Sequence, residues 1–130
     1  MDKTFDSSAF AAKNGNFIGL PYDMDSAKVV FLPIPWEATV SYRPGTADGP
    51  QNILDASYQL DLLDWDVQDA WKTPMFWMNA PEAIKTLSES TRKLAVKHID
   101  HLENQKKVDQ DIVREVNARS TQLNNIVYEN

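Results

Sequence analysis

Cysteine is absent from the 130 residues. Disulfides, thiolate metal ligands and thiol nucleophiles are excluded with it. Basic side chains are the minority, 13 Lys and Arg against 19 Asp and Glu, for a net charge of −6 at pH 7. That balance speaks against nucleic acid, whose binding runs on Lys and Arg, and against an anionic membrane surface. No apolar run approaches the roughly 18 residues of a membrane span. The start, Met1-Asp2-Lys3-Thr4-Phe5-Asp6, lacks the basic and apolar regions of a secretory signal, so a cytoplasmic protein is expected. Glycine occurs only four times. The length predicts one small domain.

Three segments follow from the pattern. Residues 1–27 have no period but carry Phe5, Phe10, Phe17, Ile18 and Tyr22. They read as an extended arm anchored by its aromatics, with a frayed terminus as the plain alternative. Residues 28–80 open on Val29-Val30-Phe31-Leu32, a continuous apolar run that predicts a parallel strand buried on both faces. Pro33 and Pro35 end it. The connection over 34–50 is about three times the usual strand-to-helix length, and such loops are commonly functional. A helix is predicted over 50–58, capped by Asp48 or Gly49, with Pro50 in its first turn and Ile53, Leu54 and Ser57 on one side. Leu60, Leu62 and Leu63 alternate loosely with Asp61 and Asp64, which suggests a short strand. Asp48 to Asp69 holds six Asp and no Lys or Arg, a pattern that reads as a solvated acidic face. Met75-Phe76-Trp77-Met78 fits either a second strand or a docking segment.

Residues 81–130 have a helical period. Ile84, Leu87, Thr91, Leu94, Ala95, His98 and Leu102 recur at three and four, and a second stripe joins Ile112, Val113, Val116, Leu123, Ile126 and Val127 after a cap at Asp109. The short break near 104–108 predicts an antiparallel pair. This stripe is still running where the chain stops at Asn130, which leads to the expectation that the sequence is the front part of something longer.

Candidate chemistry is sparse. His98 and His101, with Glu103 nearby, have helical metal-ligand spacing, but a partly buried structural histidine beside an exposed one explains them as well. Ser41 and Ser57 lack a Gly-x-Ser-x-Gly elbow. Gly45-Thr46-Ala47-Asp48-Gly49-Pro50 precedes a helix but lacks the Gly-Lys-Ser/Thr phosphate signature. The long loop is the best ligand-facing candidate. Trp36, Glu37, Thr39, Ser41, Tyr42, Arg43, Gly45 and Thr46 bring an acid, hydroxyls, aromatics and a guanidinium to the end of a strand, where ligands collect in open α/β sheets. A packed surface loop anchored by Trp36 and Tyr42 is the other reading.

Residues 29–58 resemble the start of the ureohydrolase family, which includes arginase, agmatinase and formimidoylglutamase. The likeness rests on Val29-Val30-Phe31-Leu32-Pro33-Ile34-Pro35-Trp36-Glu37, on Ser41-Tyr42-Arg43-Pro44-Gly45-Thr46, and on Gly49-Pro50 with Ile53. It is nearest to agmatinase-like members and covers about a quarter of the chain. Glu37 stands where agmatinases usually carry Asp, and Leu54-Asp55 where Arg commonly follows the Ile. The resemblance implies a three-layer α/β/α sandwich with a parallel sheet, of which this chain is the N-terminal portion. It implies hydrolysis of guanidino C–N bonds by a hydroxide bridging two Mn²⁺ ions. The family's Gly-Gly-Asp-His, Asp-Ala-His-x-Asp and Asp-x-Asp ligand segments are not in this sequence; Asp64-Trp65-Asp66 and Asp109-Gln110-Asp111 share only the last spacing. No catalytic or metal residue is carried over, only the loop from Trp36 to Thr46, expected at the active-site mouth. Expected partners are the remainder of the domain, further copies in a homo-oligomer and a small guanidino substrate. Alone, the chain is expected to be inactive, and to self-associate through exposed Trp65, Trp71 and Trp77 and a bare sheet edge. The alternative is a non-catalytic binding or oligomerisation module derived from that family.

Overall fold

A computed structural model describes residues 5–130 as an α/β chain. Its strands are β1 (Val29–Phe31) and β2 (Met75–Trp77), and its helices α1 (Gly49–Ser57), α2 (Glu82–Glu103) and α3 (Gln110–Glu129), with 3-10 turns at Phe17–Gly19, Thr46–Asp48 and Ala70–Lys72. Two compact units result. One joins the described part of Met1–Pro33 to Pro50–Asn79, and the other joins Ile34–Gly49 to Ala80–Asn130.

In the first unit β1 and β2 pair in parallel, with Val29 opposite Met75, Val30 opposite Phe76 and Phe31 opposite Trp77. The Met75–Met78 ambiguity thus resolves as a strand. The Lys28 N–H donates to Pro74 O at 2.9 Å and the Met78 N–H to Phe31 O at 3.0 Å, extending the ladder at both ends. Phe17 of the arm lies on Phe31 and Trp77, with ring centroids 4.7 and 6.1 Å away. Phe5 meets Trp71 at 5.3 Å.

The arm is held chiefly by Asn16, which is 5% exposed. Its Nδ2 donates to Leu20 O, Tyr22 O and Met75 O at 2.9, 3.1 and 3.0 Å, while its Oδ1 accepts from the Phe17 and Trp77 N–H groups at 2.9 and 2.7 Å. One amide therefore satisfies backbone groups of both the arm and β2. Gly19, at φ +71°, passes so close to Ala12 that a Cβ would stand 2.5 Å from its carbonyl oxygen. Ile18 sits at φ 58°, a left-handed conformation costly for a β-branched residue. Its N–H donates to Ser57 Oγ at 3.0 Å, and that hydroxyl donates to Leu54 O at 2.7 Å. Leu20, fully buried, and Leu54 form the apolar centre. Burial of a leucine contributes about 2–3 kcal/mol.

Four expectations for this unit are corrected. Val29 and Val30 remain about 40% exposed, because β2 is the one strand paired with β1 among the described residues. Leu60–Leu63 form no strand. The chain turns there, and Asp64 Oδ1 accepts from the Asp66 and Val67 N–H groups, so the aspartates favour local turns over a ladder. Of the three tryptophans only Trp65 is exposed; Trp71 and Trp77 are half-buried by the arm's aromatics. Phe10 faces solvent rather than anchoring the arm, and Ile53 is exposed while Leu54 and Ser57 form the buried side of α1.

In the second unit α2 and α3 pack on each other. Asp109 caps α3, accepting from the Asp111 and Ile112 N–H groups. This satisfies donors that a helix start leaves unpaired. α3 buries Val116 and Leu123 from its apolar stripe. α2 follows the expected stripe except at two positions, Ser88 and Leu102. Its buried line is Ile84, Ser88, Thr91 and Ala95, while Leu102 is exposed. Ser88 and Thr91 share this line with Ile84 and Ala95; the Ser88 hydroxyl accepts from the Glu37 N–H of the loop, and Thr91 satisfies its hydroxyl by donating to Leu87 O at 2.6 Å. No helix among the described residues is long and apolar enough to cross a membrane.

Candidate functional site

The loop Ile34–Gly49 is built on α2. The Glu37 N–H donates to Ser88 Oγ at 3.1 Å. One helical turn on, the Arg92 guanidinium donates through Nη1 to Val40 O, and through a longer bond of 3.4 Å to Ala38 O. Ala38 is fully buried between these contacts. The helix thus grips the loop's first limb at successive backbone groups.

The second limb is held by Glu37. Its Oε2 accepts from the Gly45 N–H at 2.6 Å and the Ala47 N–H at 3.1 Å. These bonds to Gly45 and then Ala47 hold its carboxyl below the ordinary glutamate range, and the Arg92 charge adds to the effect. Gly45 stands at φ +126°, a conformation that an L side chain rarely adopts, and the turn Thr46–Asp48 runs from it into α1. The Ala47 N–H of this turn is satisfied by a carboxylate ten residues upstream.

The eight loop residues singled out by sequence divide accordingly. Trp36 and Glu37 are half-buried at the base. Thr39, Ser41, Tyr42, Arg43, Gly45 and Thr46 are exposed, Tyr42 almost completely. Glu37 spends an oxygen on the loop itself. The tip offers hydroxyls, a phenol and a guanidinium to solvent, suited to hydrogen bonding and to contact with a polar ligand. Ser88 and Arg92 were not visible as loop partners in the sequence, since they lie 51 to 54 residues away.

Metal-ligand candidates do not converge. Among the described residues no three His, Cys, Asp or Glu side chains come together. Asp64 is engaged in its own turn, Asp109 caps α3, and Asp111 pairs with Arg114. Asp69 pairs with Lys72 at 2.7 Å. His98 and His101 are both half-buried, each with an enclosed Nδ1 lacking a partner, which corrects the expectation that one would be exposed. The described residues of this chain do not fit a pair of divalent ions.

Comparison with known proteins adds three findings. The sequence signature described as "Arginase family" matches residues 27–115. An agmatinase of Bacillus cereus is 28% identical over 103 residues, 72% of this chain and 33% of that protein. An N(1)-aminopropylagmatine ureohydrolase of Synechocystis sp. is 55% identical over 38 residues, 29% of this chain and 12% of that protein. The matched stretch spans a third or less of the length of these curated relatives. No solved structure matches the chain.

Proposed function

Because the chain belongs to the arginase family, we propose that it supplies the substrate-facing loop of a metal-dependent hydrolase that cleaves guanidino C–N bonds and releases urea. The observation that carries this reading is the loop itself. It lies inside the matched region, is fixed at its base by Glu37, Ser88 and Arg92, and is open at its polar tip. The relatives named for agmatine and aminopropylagmatine favour an extended, cationic guanidino substrate.

In this reading the pair of Mn²⁺ ions, which would activate water for attack, is held by polypeptide carrying the family's ligand segments. The chain alone is then inactive. Its partners are the remainder of the ureohydrolase domain and further copies of itself, with neither nucleic acid nor a membrane involved, in the cytoplasm. A second reading, a non-catalytic binding or oligomerisation module, is favoured by the exposed Val29, Val30 and Trp65.

The two separate on one assay. Urea release from agmatine, aminopropylagmatine and arginine is measured with Mn²⁺, for this chain and for a form completed by the family's ligand segments. The hydrolase reading expects urea only from the completed form, with a raised KM after Tyr42→Ala, which removes the exposed phenol and its π face from a cationic substrate. Turnover by the 130-residue chain alone, or a completed form indifferent to every loop substitution, contradicts it.

A further inference from the structure

We infer that Arg92 of α2 is the positioning residue of the loop, holding its tip in the shape presented to a cationic guanidino substrate; the substrate half of this inference rests on the hydrolase reading. Three observations converge on Arg92. Its guanidinium reaches the carbonyls of both Ala38 and Val40, the last backbone groups before the exposed tip. Ser88, four residues earlier on α2, takes the Glu37 N–H, so α2 supplies two adjoining grips. Glu37 in turn closes the loop by binding Gly45 and Ala47. The chain from 37 to 47 is therefore a closed loop with one external anchor line, Ser88 and Arg92.

The geometry divides the work. Glu37 sets the closure from within, and Arg92 sets where the closed loop rests on α2. Both bonds leave Nη1, and the planar guanidinium fixes the directions of that nitrogen's two N–H groups, whereas the donors of an ammonium rotate freely about its stem. Arg92 has no ion-pair partner within salt-bridge distance among the described residues. It is spent on loop carbonyls rather than on a carboxylate, and it contributes positive charge to the Glu37 carboxylate. Substrate binding that uses Thr39, Ser41 or Tyr42 depends on this placement, because small displacements of positioning groups are costly.

The test uses Arg92→Met and Arg92→Lys in the full chain. Amide exchange is read at Glu37, Gly45 and Ala47, with α3 amides and the Trp77 amide as controls. Arg92→Met is expected to speed exchange at the three loop amides by roughly 10-fold or more, with the controls unchanged, and Arg92→Lys to restore part of the protection. Unchanged loop exchange in Arg92→Met, or a rise shared by the controls, overturns the inference. In the completed, metal-loaded form, Arg92→Met is expected to raise KM about 10-fold with kcat within about 3-fold, and Arg92→Lys to recover part of the loss. Loop opening with KM unchanged overturns the positioning role. A completed form that turns over no guanidino compound counts against the hydrolase reading, and the exchange result then decides for or against Arg92 as the loop's anchor.

Discussion

Asn16 Oδ1 accepts a 2.7 Å hydrogen bond from the backbone N–H of Trp77, 61 residues away. Through the same side chain the amide nitrogen binds Met75 O, so the arm is stitched to β2 on both sides of the amide. The first segment is thus tied into its unit at Asn16 and at the Phe17 ring, while Phe10 faces solvent.

Removing that amide leaves buried backbone groups unsatisfied, which costs about 1–3 kcal/mol for the first group alone. Asn16→Ala is expected to lower unfolding stability by about 3 kcal/mol. Asn16→Asp is expected to be at least as damaging at neutral pH, since it places a carboxylate against three carbonyl oxygens. Denaturant melts of the variants check both, and a loss in Asn16→Ala below about 1 kcal/mol contradicts the role assigned to Asn16.

Gly19 and Gly15 both have positive φ, but only Gly19 has a neighbour in the way. Gly15→Ala is expected to cost about 1 kcal/mol from the left-handed conformation alone. Gly19→Ala adds a collision with the Ala12 backbone and is expected to cost about 3 kcal/mol in total. Equal midpoints for the two variants in urea would show that the close approach to Ala12 does not form in solution.

Glu37 supplies a pH dependence whose sign follows from its lowered pKa. A carboxyl lowered in the folded state binds its proton more weakly there than in the unfolded chain. Its contribution is present at and above the ordinary glutamate range, and is lost as pH falls through the lower folded value. The Gly45 and Ala47 amide signals should therefore titrate together, below the range of an ordinary glutamate, and not between pH 6 and 8, where no carboxyl of this kind changes charge. Glu37→Gln should abolish the titration. A midpoint at or above the ordinary value contradicts the loop closure described.

Trp65 is 91% exposed and holds no apolar partner in place. Trp65→Ser is expected to change stability by no more than about 0.5 kcal/mol while reducing self-association of the isolated chain. Sedimentation of both forms measures the second effect. Identical monomeric profiles would remove the exposed apolar surface as a source of association.

Periodicity made the helices legible, because apolar residues at spacings of three and four imply a buried stripe before any partner is known. Asp109 was legible as a cap for the same local reason. Val29–Phe31 read correctly as a strand but incorrectly as doubly buried, since burial depends on neighbours that an isolated segment cannot reveal. Leu60–Leu63 alternate like a strand, yet turn-forming aspartates override a weak pattern. In the loop, unusual length and polar content were readable, but Tyr42, which reads equally as an anchor, is exposed. The loop's supports were not readable: Ser88 and Arg92 act through contacts 51 to 54 residues away, as Asn16 does for the arm across 59 to 61, and no local spacing marks such a contact.

The hydrolase reading proposed above gives this chain the loop and leaves the two ions to the family's ligand segments. Titration of Mn²⁺ into the 130-residue chain, followed by electron paramagnetic resonance, checks that division. The expected signal is that of hydrated, unbound Mn²⁺ throughout the titration. Two tightly held, spin-coupled ions per chain would contradict the account.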